Sequence, residues 1–121
     1  MADNLDILIL EDEKFIALDI EASLHDAGYS TVRVCTAPDE ALAAIDARLP
    51  DLGLLDINLG LGRNSFDVAR KLKQAGCIVA FMTGYTSATV DLPDDLTGLP
   101  RLSKPFDDGM LLSLLDSVDA R

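Results

Sequence analysis

Positive charge is scarce in this 121-residue chain: ten lysines and arginines stand against 21 aspartates and glutamates, a formal charge of −11. Such a charge repels nucleic-acid phosphates and anionic membrane faces, which argues against direct DNA or RNA binding. No apolar run is long enough to span a bilayer, since the first one breaks at Glu11. The opening MADNLDILIL carries acids where a signal peptide needs a basic start, so a cytoplasmic protein is expected. Cysteine is limited to Cys35 and Cys77, which match neither a CxxC pair nor a metal-ligand spacing and read as plain buried thiols, with no disulfide needed. No repeat, linker or low-complexity segment interrupts the chain.

What remains is a soluble globular composition, 49% hydrophobic and 26% charged. A chain of this length forms one domain and buries roughly two-thirds of the surface its unfolded form exposes. Residues 1–121 are therefore read as a single unit.

Short apolar runs alternate with longer stretches of helical period. Leu5 to Leu10 is the first expected strand. Helix one starts near Lys14, with Phe15, Ile16, Leu18, Ile20, Ala22 and Leu24 as its apolar positions and Gly28 as its C-terminal cap. Thr31 to Cys35 is the second strand, and Thr36-Ala37-Pro38-Asp39 opens helix two with a capping hydroxyl, an early proline and an acid.

Leu52 to Leu55 forms strand three, and helix three covers about Ser65 to Ala75. Cys77 to Met82 is unbroken apolar sequence, suited to a central strand covered on both faces. Between Tyr85 and Pro100, the residues Pro93, Asp94, Asp95, Gly98 and Pro100 leave room only for a short or irregular fourth helix. Leu99 to Ser103 and Asp107 to Val118 complete the set, the last helix having Met110, Leu111, Leu114, Leu115 and Val118 as its apolar face. The fold class is α/β: a (βα)5 doubly wound, five-stranded parallel sheet in the flavodoxin-like order 2-1-3-4-5.

In such a sheet the carboxyl ends of the strands line one edge, where ligands bind. Glu11 and Asp12, Asp56, Thr83 and Lys104 all fall at strand ends, so the topology gathers them into one site. Each alone has a plain reading, as a cap, a turn residue or a solvated lysine. Three clustered carboxylates raise one another's pKa and call for a cation. An all-oxygen cluster is the setting Mg²⁺ prefers, and Lys104 adds a permanent positive charge. A carboxylate beside those cations can attack a phosphoryl group, with Asp56 the candidate nucleophile and Thr83 a hydrogen-bond donor to a phosphoryl oxygen.

Taken in this order, Glu11-Asp12, Asp56, Thr83 and Lys104-Pro105-Phe106 resemble the receiver domain of two-component response regulators, over essentially the whole chain. The resemblance implies phosphotransfer to Asp56 from a histidine kinase or histidine phosphotransferase, with a downstream protein as the target of the switched surface. It also implies Mg²⁺ held by Asp12, Asp56 and the backbone carbonyl of Asn58, with Glu11 acting mainly through water, and a cis peptide between Lys104 and Pro105. Arg101, grouped with Thr83 and Tyr85 as a switch residue, stands three residues before the lysine, where the family usually has a switching aromatic, and reads equally as an exposed edge residue or a partner contact. The run Phe81-Met82-Thr83-Gly84-Tyr85 is similar to a mostly alphaproteobacterial, often stand-alone subgroup with a Phe-Ala-Thr-Gly-Tyr-like motif. Tyr85 is therefore expected to take over part of the switching, because Arg101 cannot bury its charge cheaply in an aromatic pocket.

The protein is thus expected to be a phosphorylation switch and not an enzyme. Three alternatives stand beside it. A phosphohydrolase of the haloacid-dehalogenase type needs two aspartates one residue apart near the chain start, whereas the corresponding residues here are Asp56 and Asn58. An FMN carrier needs a hydroxyl- and glycine-rich phosphate loop after strand one, where this chain has Glu11-Asp12-Glu13. A receiver-shaped adaptor would bind partners without phosphate. His25 reads as an exposed helical histidine, and Asp91, Asp94 and Asp95 as a solvated loop.

Overall fold

The computed structural model describes residues 5–57, 59, 64–83, 92–104 and 106–119, with 118 and 119 described by backbone alone. Its elements run β1 (Asp6–Leu10), α1 (Lys14–Asp26), β2 (Thr31–Cys35), α2 (Pro38–Ala47), β3 (Leu52–Asp56), α3 (Phe66–Gln74), β4 (Ile78–Thr83), a 3₁₀ turn (Asp94–Leu96), β5 (Arg101–Ser103) and α4 (Asp108–Asp119). All strand pairs are parallel, and the sheet order is β2-β1-β3-β4-β5, as expected from the alternating pattern.

Alternation along each strand divides the core between the two faces. Ile7, Ile9, Leu52, Leu54 and Met82 pack with Ile20 and Leu24 of α1 and Leu111 and Leu115 of α4. Leu8, Leu10, Leu55 and Phe81 pack with Ile45 of α2, Leu72 of α3 and Leu96 of the 3₁₀ turn. The sheet is thus covered on both sides, which is why β3 is buried at every position.

Helix ends depend on glycine. Gly28 and Gly76 adopt φ of 103° and 83°, a region that a Cβ disfavours. After α1, Tyr29 N–H reaches back to Leu24 O at 3.0 Å, and after α3, Cys77 N–H reaches Leu72 O at 2.9 Å. Both are the six-to-one hydrogen bond of a glycine-terminated helix. Because Cys77 is used in that cap, β4 begins at Ile78 and ends on Thr83, one residue later than the apolar run implies. β5 is likewise shorter than expected: Pro100 accepts a hydrogen bond from Phe81 N–H at 2.9 Å but has no N–H of its own to extend the ladder.

Four further expectations are corrected. Phe15 is 87% exposed, and Ile16 and Leu18 are also exposed, while Ala17, Ile20 and Leu24 form the buried face of α1. Thr36 does not cap α2; instead its own N–H and hydroxyl donate to Glu40 Oε1 at 2.7 and 3.3 Å, and Ala37 occupies the cap position. Met110 lies on the outside of α4, not in its apolar face, and Cys77 is only partly buried. Val118's side chain lies outside the described residues.

Candidate functional site

Four strands end at the same edge of the sheet. β1 runs directly into Glu11 and Asp12, β3 ends on Asp56, β4 ends on Thr83, and Lys104 comes directly after β5. Backbone bonds fix these ends: Glu11 N–H donates to Cys35 O at 3.0 Å, Ile57 N–H to Met82 O at 3.1 Å, and Lys104 N–H to Thr83 O at 2.6 Å. Thr83 and Ser103 are register partners, which sets Lys104 beside the end of β4.

The Lys104 ammonium is the centre of the cluster. It donates to Asp56 Oδ2 at 2.9 Å and also to Glu11 Oε1. Glu11 is fully buried, and its other oxygen accepts Glu13 N–H at 3.1 Å, so both carboxylate oxygens are occupied. Asp56 and Thr83 are each only 6% exposed, whereas Asp12 is partly open to solvent. One oxygen from each of Glu11, Asp12 and Asp56 lies within 4.8 Å of the others, the one such carboxylate cluster among the described residues.

Charge in the cluster is unbalanced: three carboxylates face one ammonium. Burial raises the pKa of Asp12 above its ordinary value, and the neighbouring Glu11 carboxylate adds to the rise. For Lys104, burial opposes the charged form, but hydrogen bonds and charge from Glu11 and Asp56 outweigh it and raise the pKa. Lys104 is therefore a fixed cation at any physiological pH. The all-oxygen donor set with a surplus of negative charge suits a hard divalent ion. Cys35, buried nearby, has its thiol pushed up to about 11, first by burial and then by the Glu40 charge, and is no nucleophile.

Of the residues picked out from sequence, Glu11, Asp12, Asp56, Thr83 and Lys104 meet here. Glu11 contacts the Lys104 ammonium directly. Arg101 does not join them: it lies exposed on β5, opposite Phe81 in the register. Asn58, Tyr85 and the Lys104–Pro105 peptide bond lie outside the described residues. Sequence reasoning missed Phe15, which stands close after the acidic loop yet is left in solvent. The signal was present in the spacing: Ala17, Ile20 and Leu24 repeat at three and four residues, and Phe15 falls on the opposite side.

Residues 7–116 match the response regulator receiver domain, and the chain belongs to that family. Among curated proteins it is similar to the phyllosphere-induced regulator PhyR of Methylorubrum extorquens, 37% identical over 82 residues that make up 66% of this chain and 31% of the relative. It is also similar to the transcriptional regulatory protein DltR of Streptococcus agalactiae, 38% identical over 111 residues, 88% of this chain and 48% of that one. The chain spans less than half the length of the curated relatives it matches. Among solved structures it superposes on SdrG from Sphingomonas melonis Fr1 with a TM-score of 0.83 at 30% identity, covering 98% of both chains. The PhyR stress response regulator gives a TM-score of 0.76 at 30% identity, over 94% of this chain and 45% of that one.

Proposed function

We propose that this domain accepts a phosphoryl group on Asp56 from a phosphohistidine donor, a histidine kinase or histidine phosphotransferase, and signals by changing which protein it binds. The observation that carries the reading is the Lys104 ammonium 2.9 Å from Asp56 Oδ2, within a cluster completed by Glu11 and Asp12. In the transfer, an Asp56 carboxylate oxygen bonds to phosphorus as the phosphorus–nitrogen bond to the donor imidazole breaks, leaving an acyl phosphate and a free histidine.

Asp12 and Asp56 would hold Mg²⁺, with the Asn58 carbonyl as a further ligand and Glu11 contributing through water and through its hold on Lys104. Bound there, the ion supplies positive charge to the phosphoryl oxygens. Lys104 already sits where it can pair with one such oxygen, and Thr83, ending the adjacent strand, can donate its hydroxyl to another. Burial of Asp56 restricts attack to donors that deliver phosphate at this edge. Phe15 and Leu18, exposed on α1 beside the acidic loop, give such a donor an apolar foothold.

The domain is then the substrate of one phosphoryl transfer, not a turnover catalyst. Adding about two negative charges at Asp56 draws in Thr83 and reorders the connection beyond that strand end. Tyr85 takes over part of that switch, and Arg101, held outside the core, meets the partner instead. With a charge of −11 the output is protein contact, not nucleic acid. Among the described residues no helix is long and apolar enough to cross a membrane, and a cytoplasmic location is part of the proposal. The test is transfer of radiolabelled phosphate from a phosphorylated histidine phosphotransferase. Label is expected on the unmutated chain with Mg²⁺ and not on Asp56→Asn; equal label on both would overturn the assignment.

A further inference from the structure

Residues 92–100 of the connection from β4 to β5 are held against the domain in two different ways. Leu92 and Leu96 pack into the cluster around Phe81. Asp95, beside Leu96, instead faces α3: Arg70 Nε donates to Asp95 Oδ2 at 3.0 Å, and Lys73 Nζ donates to the Asp95 backbone carbonyl. Arg70 and Lys73 are three residues apart on the helix and so reach the same spot. Together with Gln74 and Asp95 they line an open groove of about 330 Å³, so the polar half of this seam is bridged by charged side chains and not packed.

The clamp has a built-in alternative. Asp67, one turn earlier on α3, lies 3.4 Å from the same guanidinium and can retain Arg70 when Asp95 leaves. The Arg70 hydrogen bond holds the Asp95 carboxyl below its ordinary value, favouring the charged form that pairs with Arg70. α3 comes after the loop that leaves Asp56, and the 3₁₀ turn lies on the connection that leaves Thr83. One residue, Asp95, therefore joins the segments departing from two residues of the site.

We propose that Arg70 and Lys73 form a salt-sensitive clamp on Asp95 that sets how readily the 3₁₀ turn of the β4–β5 connection lifts from α3. The clamp is a conformational device of the unphosphorylated chain. Releasing it weakens the cover that Leu92 and Leu96 give to Phe81.

Amide hydrogen exchange followed by NMR tests this, read at Leu96 and Leu99, whose N–H groups donate to Pro93 O and Leu96 O at 2.9 and 3.3 Å. Exposed ion pairs are weak, so Asp95→Asn is expected to speed exchange at these two amides by about two- to fivefold. Raising NaCl to about 0.5 M is expected to do the same to the unmutated chain and to add little to Asp95→Asn. Lys73→Gln gives an independent, smaller release. Exchange at Leu54 in the central strand stays constant. Unchanged rates at Leu96 and Leu99 in both variants and in salt would overturn the clamp, as would an equal acceleration at Leu54. No phosphoryl donor enters the experiment, so its result is separate from that of the phosphotransfer test.

Discussion

Lys104 Nζ sits 2.9 Å from Asp56 Oδ2 while the same ammonium holds the fully buried carboxylate of Glu11. One cation thus compensates two acids, and disturbing that balance has measurable consequences for stability and for metal binding.

Lys104→Met leaves Glu11 and Asp56 buried without their cation, and the folded state is expected to lose about 1–3 kcal/mol at pH 7. Because folding raises the Lys104 pKa above its ordinary 10.5, its contribution is complete below that pH and fades as pH rises through the folded value. Urea unfolding of both proteins from pH 7 to about 11.5, a range that spans the ordinary lysine pKa, should show a gap that begins to narrow at the alkaline end. A variant as stable as the parent at pH 7 would contradict this.

Asp12→Asn should act in the opposite direction. Folding raises the Asp12 pKa, chiefly by burial, so ionised Asp12 disfavours the folded state increasingly as pH climbs above 3.8. Without metal, the variant is expected to be more stable than the parent at pH 7, an advantage that shrinks toward pH 4. The unmutated protein should in turn gain about 2.7 kcal/mol at an Mg²⁺ concentration 100 times its Kd, and the variant should lose most of that response. Thermal melts with and without Mg²⁺ check both signs.

At the opposite end of β1, Arg33 reaches across to Asp6 at 3.2 Å and donates to the Ala44 and Arg48 carbonyls, each at 3.0 Å, closing the C-terminal end of α2. Arg48 Nε completes the group at 2.8 Å from Asp6. Arg33→Ala is expected to cost about 1–2 kcal/mol in urea unfolding while leaving phosphoryl transfer to Asp56 unchanged, since nothing in this group touches the site. Loss of transfer at full stability would contradict the separation.

Tyr85→Ala is expected to weaken binding of the phosphorylated domain to its protein partner by about tenfold, with phosphorylation itself intact. Titration of the partner with both phosphorylated forms reads this out. Equal affinity would remove Tyr85 from the switch.

The sheet order and the convergence of Glu11, Asp12, Asp56, Thr83 and Lys104 were legible because strand ends are marked by a change from apolar to reactive residues. Exposure on α1 was harder to read. Phe15, Ile16 and Leu18 are apolar and adjacent to buried positions, and only the Ala17, Ile20 and Leu24 spacing distinguishes the core side. The cap of α2 misled for a related reason: Thr36 and Asp39 fit the local pattern, but Glu40 is the residue whose carboxylate reaches the Thr36 N–H. Asp95 is exposed, as the sequence implies, but its pairing was not legible because its partners, Arg70 and Lys73, are more than twenty residues away. Long-range ion pairing depends on the packed fold, which local sequence does not encode.

Intact mass spectrometry after incubation with acetyl phosphate and Mg²⁺ bears most directly on the central claim. The unmutated chain should gain one phosphoryl group, lose the gain when a chelator is present, and show none as Asp56→Asn. No added mass on the unmutated chain, with a competent phosphohistidine donor also failing, or equal addition to Asp56→Asn, would contradict it.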